Sequence, residues 1–228
     1  MRGIRSEFPG VIQAAGLSSR MGELGPKLLL TFRGRPLLAH VVDTALASRL
    51  SEVVVVLGAF ADPLRAAVPL DARVRCVVNE NYALGRSESI RAGLAAISEF
   101  PRIAPGALFL LGDQPLMSVA LIDAVLDAAE REEVRGPAGA PIAAAAQLDA
   151  REARYLKGNP VLFRRMLFEQ LFALRGDRGA LDLISAHWRN AAYVPIEDAA
   201  TQFRVDTPDD YRRLLAMERG APWEDSPA

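Results

Sequence analysis

Short runs of β-branched and aliphatic residues alternate along this chain with longer stretches whose apolar positions recur every three or four residues. Gly10–Ala14 predicts a first strand. Pro36–Leu50 predicts a helix: Leu37, Leu38, Val41, Val42, Ala45 and Leu46 form one stripe, and Pro36 suits the first turn. Val53–Leu57 is wholly apolar, as in a strand buried on both faces of a parallel sheet. A short helix over Asp62–Val68 and a strand over Val74–Val78 follow. Ser87 is placed to cap a helix carrying Ile90, Leu94 and Ile97 on one face. Ala107–Leu111 is the next apolar strand, and Ser118 opens a helix through about Glu132 with Leu121, Ile122, Val125, Leu126 and Ala129 inward.

The stretch Arg135–Pro141 (RGPAGAP) breaks this rhythm. Strands are expected over Ile142–Gln147 and Arg151–Leu156, then a turn at Gly158-Asn159-Pro160 before the apolar segment Val161–Phe163. Helices near Arg164–Leu174 and Gly179–Ala186 and strands near Ala191–Ile196 and Phe203–Val205 complete the pattern. A last helix starts after Thr207, with Pro208, Asp209 and Asp210 in its first turn, where proline and acidic residues are favoured. Alternating strands and helices imply an α/β fold: a Rossmann-like, three-layer, open and mostly parallel sheet with helices on both faces. No linker separates two domains, so one domain over residues 1–218 and a frayed tail over 219–228 are expected.

Composition narrows the function. The formal net charge of the 228 residues is -1, without the basic excess of a general nucleic-acid binder. The single cysteine, Cys76, excludes an internal disulfide and reads as a small buried hydrophobe within Val74–Val78. Two histidines, His40 and His187, are too few for a His/Cys metal cage. No apolar run is long enough for a membrane span, and Met1–Gly10 lacks a signal-peptide core, so the cytoplasm is the expected location.

Candidate chemistry sits beyond the strand ends. Ala14–Lys27 (AAGLSSRMGELGPK) is rich in glycine, with Gly16, Gly22 and Gly25 allowing a tight backbone that can approach a ligand closely. Its amides could cradle phosphate oxygens, Ser18 and Ser19 add hydroxyls, Arg20 offers a bidentate fork and Lys27 a mobile point charge. The spacing is neither G-x-G-x-x-G nor G-K-[ST], and an ordinary strand-to-helix loop is the alternative. Gly112-Asp113-Gln114-Pro115 follows the strand ALFLL, and Asp206 follows Phe203–Val205. In open α/β sheets ligands bind beyond the carboxyl ends of strands, and Mg2+ takes one or two carboxylates plus substrate phosphates. A turn aspartate and a helix-entry aspartate are the plainer readings of the two.

Taken in order, VIQAAGLSSRMGELGPKLLL, GRSESIRAGL, ALFLLGDQPL, KGNPVLF, GDRGA and VDTPDDY resemble the molybdenum-cofactor cytidylyltransferases and their close relatives in the broader NTP-transferase group. The resemblance spans nearly the whole chain. It implies transfer of a cytidylyl group from CTP to molybdopterin with release of pyrophosphate, and a molybdenum hydroxylase as the receiving partner. It implies that Ala14, Ala15, Gly16, Leu17, Ser18, Ser19, Arg20 and Lys27 hold the nucleotide, with Asn79, Ser87, Ser89 and Gly112 nearby. Asp113, with Asp206 as second ligand, would bind Mg2+; Arg20, Lys27 and Asp113 would carry the catalysis. Asn159, Asp177 and Arg178 would lie on the acceptor side. The Ala-Ala-Gly form of the loop resembles cytidylyl rather than guanylyl members. Gln13, Arg86 and the charged stretch Gln147–Lys157 depart from the family pattern, and leave base and acceptor open. Rival readings are a guanylyl or sugar-phosphate nucleotidyltransferase, a dinucleotide-binding oxidoreductase, and a non-catalytic carrier or insertion factor for a metal cofactor.

Overall fold

The computed structural model describes residues 5–100, 102–149, 154–177 and 180–219. Its frame is a seven-stranded sheet in the order β5-β4-β1-β6-β8-β7-β9. The strands are β1 (Gly10–Ala14), β4 (Val53–Leu57), β5 (Val74–Val78), β6 (Gly106–Leu111), β7 (Ile142–Asp149), β8 (Arg154–Arg164) and β9 (Ala192–Pro195). Thr31–Phe32 (β2) and Arg35–Pro36 (β3) form a separate small hairpin. All neighbours pair parallel except those of β8, which runs antiparallel to both β6 and β7.

Helices cover both faces, as the two faces of the sheet require. Side chains alternate along each strand, so Ile12, Val53, Val55, Leu108 and Leu110 face one way, against α1 (Leu37–Ala47), α2 (Ala61–Ala67) and α4 (Val119–Val134). Val11, Val54, Val56, Ala107 and Phe109 face the other, against α3 (Arg86–Ser98), α5 (Phe168–Ala173) and α6 (Leu181–His187). A third, smaller core joins Met21, Phe32 and Leu37 to Phe203, Val205 and Leu214, and so ties the segment after β1 to the last helix, α7 (Pro208–Glu218).

Several local expectations are corrected. Pro36 belongs to β3 and precedes α1 rather than starting it, and α1 ends at Ala47. Strand β5 is an edge strand with intermediate and exposed positions, so Cys76 is half-buried rather than enclosed. Ser87 does not cap α3; Gly85 occupies that place and Ser87 lies within the first turn. The Gly158-Asn159-Pro160 turn signal falls inside β8, opposite a register shift of β7 between Ala144 and Ala146. Gln202 satisfies the backbone there: its side chain accepts from Asn159 N–H at 2.8 Å and donates to the Asn159 carbonyl at 2.7 Å. Phe203–Val205 opens in the extended region at Phe203 but joins no sheet. The strand expected over Arg151–Leu156 begins at Arg154, and its earlier residues lie outside the described ones, as does the tail beyond Arg219.

Candidate active site

The chain runs from β1 outward through β4 and β5, then returns across to β6 on the other side of β1. This reversal opens a crevice beyond the carboxyl ends of β1 and β6, the usual ligand position in such sheets. A cleft of about 380 Å³ lies there. Its floor is Gln13 and Ala14 from β1 and Leu111 from β6. Ala15, Gly16, Leu17, Ser18, Ser19 and Arg20 form one wall. Tyr82, Ala83, Gly85, Arg86 and Ser89, with Asp177, form another.

The wall after β1 folds tightly. Ser18 adopts a left-handed conformation (φ 56°), and its Oγ accepts from the Lys27 amide at 3.1 Å, closing the loop on itself. Gly22 and Gly25 also sit at positive φ. The closure aims Lys27 inward, where its side chain is only 13% exposed. Its ammonium donates to Asp113 Oδ2 at 2.5 Å and to Asp206 Oδ1 at 2.7 Å. Arg20 Nη2 lies 2.9 Å from the same Asp206 oxygen. Asp113 and Asp206 meet because the Val205 amide donates to the Asp113 carbonyl at 3.0 Å, stapling the extended segment to the end of β6.

Arg204 is the member that sequence reasoning missed. Its Nη2 lies 3.3 Å from Asp113 Oδ2 and 3.4 Å from Asp206 Oδ2. The available signal was period-two spacing, since residues i and i+2 of an extended segment share a side. Burial opposes its charge, but Asp113 and Asp206 outweigh this and raise its pKa. For Asp206, burial alone would raise the pKa; Lys27, Arg204 and Arg20 reverse this and hold it below the usual carboxylate range.

Other expected site residues lie beside the cleft rather than in it. Asn79 is buried and donates from Nδ2 to Ser89 Oγ at 3.2 Å, supporting a side chain that does line it. Ser87 is fully buried; its Oγ has no hydrogen-bond partner among the described residues, and its amide donates to the Gly176 carbonyl at 3.2 Å. Gly112 donates its N–H to the Gln13 carbonyl at 3.0 Å, joining the ends of β6 and β1. Asn159, whose backbone N–H and carbonyl bond Gln202, does not line the cleft. Arg178 lies outside the described residues. His40 bonds the Phe32 carbonyl at 2.7 Å, and His187 lines a separate hollow, so neither histidine is in the cleft.

A family model for the MobA-like NTP transferase domain matches residues 10–191. The chain belongs to that family. The match places it among nucleotidyltransferases and covers the loop, Lys27 and Asp113, though not Arg204 or Asp206. Among relatives, nicotine blue oxidoreductase of Paenarthrobacter nicotinovorans is 33% identical over 208 residues, covering 90% of this chain and 95% of that protein. Among solved structures, Rv0371c of Mycobacterium tuberculosis H37Rv is 31% identical with a TM-score of 0.74, covering 94% of this chain and 100% of that one. Rv0371c has also been solved with manganese, a structure 30% identical to this chain with a TM-score of 0.70, covering 92% and 98% of the respective chains. The α/β fold and the mostly parallel sheet expected from the sequence are those of this MobA-like family. Among the described residues no helix is long and apolar enough to cross a membrane.

Proposed function

We propose that this MobA-like transferase moves a cytidylyl group from CTP to the phosphate of a molybdopterin-type acceptor, releasing pyrophosphate, in a Mg2+-dependent reaction in the cytoplasm. A molybdenum hydroxylase would receive the product. The carrying observation is the convergence of Lys27 and Arg20 with Asp113 and Asp206 at the crevice of the sheet.

The donor set suits the metal. Asp113 and Asp206 already share one cation, Lys27, and among the described residues the buried Asp113 Oδ1 has no hydrogen-bond partner. Hard carboxylate oxygens at this point fit Mg2+, which completes its shell with substrate phosphates. When bound, the ion would neutralise phosphate charge and act as a Lewis acid. The manganese-bound structure of Rv0371c agrees with a divalent cation in this family.

The chain's own groups account for the rest. An oxygen of the acceptor phosphate forms a bond to the α-phosphorus as the bond from that phosphorus to the bridging oxygen breaks. The leaving electron pair becomes charge on pyrophosphate. Arg20, Lys27 and the amides after β1 would hold that charge, so most of the rate gain comes from orientation and fixed electrostatics. An acceptor phosphate is already largely ionised near neutral pH and needs no general base, in keeping with a cleft that holds no histidine.

Thermal stabilisation by CTP, GTP, ATP and UTP, each with and without Mg2+, tests the nucleotide. CTP alone should shift the melt in a Mg2+-dependent way, and a GTP preference would replace the cytidylyl reading with a guanylyl one. Asp113→Asn should remain folded, though less stable for the loss of a counter-charge to Lys27 and Arg204, and lose at least about a hundredfold in pyrophosphate release; undiminished turnover would remove Asp113 from the metal site. The relation to nicotine blue oxidoreductase favours one other reading, a redox enzyme. Consumption of NADH or NADPH, with no pyrophosphate from any triphosphate, would establish it instead.

A further inference from the structure

The cleft holds two cations that the proposed transfer leaves unused, Arg86 and Arg204, and of these Arg204 is the one in contact with the carboxylates. Arg204 is set between the same two carboxylates that Lys27 bridges, touching Oδ2 of each. Among the described residues its Nε is buried with no hydrogen-bond partner, so its contacts to the carboxylates are what hold the guanidinium. Its position is fixed by the backbone. Directly after it in the chain, the Val205 amide bonds the Asp113 carbonyl at 3.0 Å and the Asp206 amide bonds Asp210 Oδ2 at 3.0 Å. Arg20 differs, with a side chain 61% exposed and free to turn elsewhere.

Charge balance governs when a cation can enter. Asp113 and Asp206 are in direct contact with three cations, Lys27, Arg20 and Arg204, so without a ligand both carboxylates are already engaged by positive charge. A free dication entering that environment is repelled by each guanidinium and ammonium. A triphosphate reverses the balance: Arg20 and Lys27 can turn to its oxygens, while Arg204 remains on the carboxylates.

We propose that Arg204 keeps the Asp113–Asp206 pair closed to a free divalent cation, so that the ion is taken up only together with the triphosphate. This rests on the reading of that pair as the metal site. Arg204 is thus a positioning residue acting through the carboxylates, and it makes metal uptake conditional on substrate.

Mn2+ binding, followed by the electron paramagnetic resonance signal of the free ion, tests this on the full chain with no turnover. The native protein should bind Mn2+ weakly alone and, beyond what CTP itself chelates, much more tightly with CTP present. Arg204→Gln should bind Mn2+ alone at least about tenfold more tightly than native. A merely structural arginine predicts a loss on substitution, not a gain. Arg204→Met, which keeps the apolar stem, repeats the test should the glutamine variant fold poorly. Arg75→Gln, which removes an equal charge from a surface pair with Glu99, should leave Mn2+ affinity unchanged. Tight Mn2+ binding by native protein alone, or no gain in either Arg204 variant, overturns the inference while leaving the metal site intact. If CTP-dependent binding, or the gain in Arg204→Gln, survives addition of Asp113→Asn, the metal assignment itself falls.

Discussion

Asp206 couples the site to pH. Burial works against its charge, but Lys27, Arg204 and Arg20 together hold its pKa below the ordinary value. A carboxylate depressed on folding stabilises the native state fully above its unfolded pKa, about 3.9, and loses that contribution as pH falls through the folded value. Denaturant unfolding between about pH 6 and pH 3 should therefore show stability falling at the acid end, and Asp206→Asn should flatten that fall. An equally steep fall in the variant would place the pH dependence in other carboxylates. Lys27 answers to both partners. Lys27→Ala removes the cation shared by two carboxylates, and should weaken triphosphate binding by about 1.5–3 kcal/mol if it makes a charge-assisted bond there. Calorimetric titration with CTP checks this, and unchanged affinity would leave Lys27 a purely structural counter-ion. At this scale the sequence exposed Arg20, Lys27, Asp113 and Asp206 separately, because each stands in a glycine-rich loop or just past an apolar run. That all four meet was implied by the family resemblance and not by the local pattern, and neither exposed that Arg204 joins them. Arg204 and Asp113 are far apart in the chain and are brought together by a backbone bond at Val205 that no local pattern announces.

Elements were most legible as short, mostly apolar runs. β1, β4 and β5 span the residues expected of them, β4 as an unbroken apolar run and β1 and β5 with one polar residue each, Gln13 and Arg75. The misreadings share one cause: contacts outside the local window. Gly158-Asn159-Pro160 has turn chemistry, yet β8 runs through it because Gln202 takes up the Asn159 N–H and carbonyl. Phe203–Val205 has strand chemistry, yet it forms no ladder because Asp113 takes the Val205 amide. Ser87 has cap chemistry, yet Gly85 precedes α3 because only glycine fits there. Gly85 has φ 119°, and a Cβ would stand 2.5 Å from the Gly176 carbonyl carbon. Gly85→Ala must shift either the start of α3 or the segment carrying Gly176 and Asp177, both at the cleft. The strained backbone alone should cost about 1–3 kcal/mol, read as a lowered urea midpoint with an unchanged slope. A fully stable variant would mean that the turn relaxes without strain.

Across the molecule, two large cores sandwich the sheet while a third, small one stands apart from both. That third core is where fold and function meet. Met21 comes from the segment after β1 that carries Arg20 and Lys27; Phe203 and Val205 flank Arg204 and precede Asp206; Leu214 comes from α7 and is fully buried. The two halves of the charged cluster are thus held in register by this apolar contact as well as by their ion pairs. A cavity there should loosen the cluster, whereas one in a large core should not. Leu214→Ala and Leu126→Ala each truncate a fully buried leucine and should each lose about 2–5 kcal/mol of stability. Only Leu214→Ala should also weaken CTP binding, measured at a temperature where both variants remain folded. The comparison separates global stability from local order because the two variants differ chiefly in which core loses its filling. Equal losses of affinity would mean that nucleotide binding follows overall stability, and that the small core carries no special burden. Unchanged affinity in both would mean that the loop and the Arg204–Asp206 segment are aligned by their hydrogen bonds and ion pairs alone.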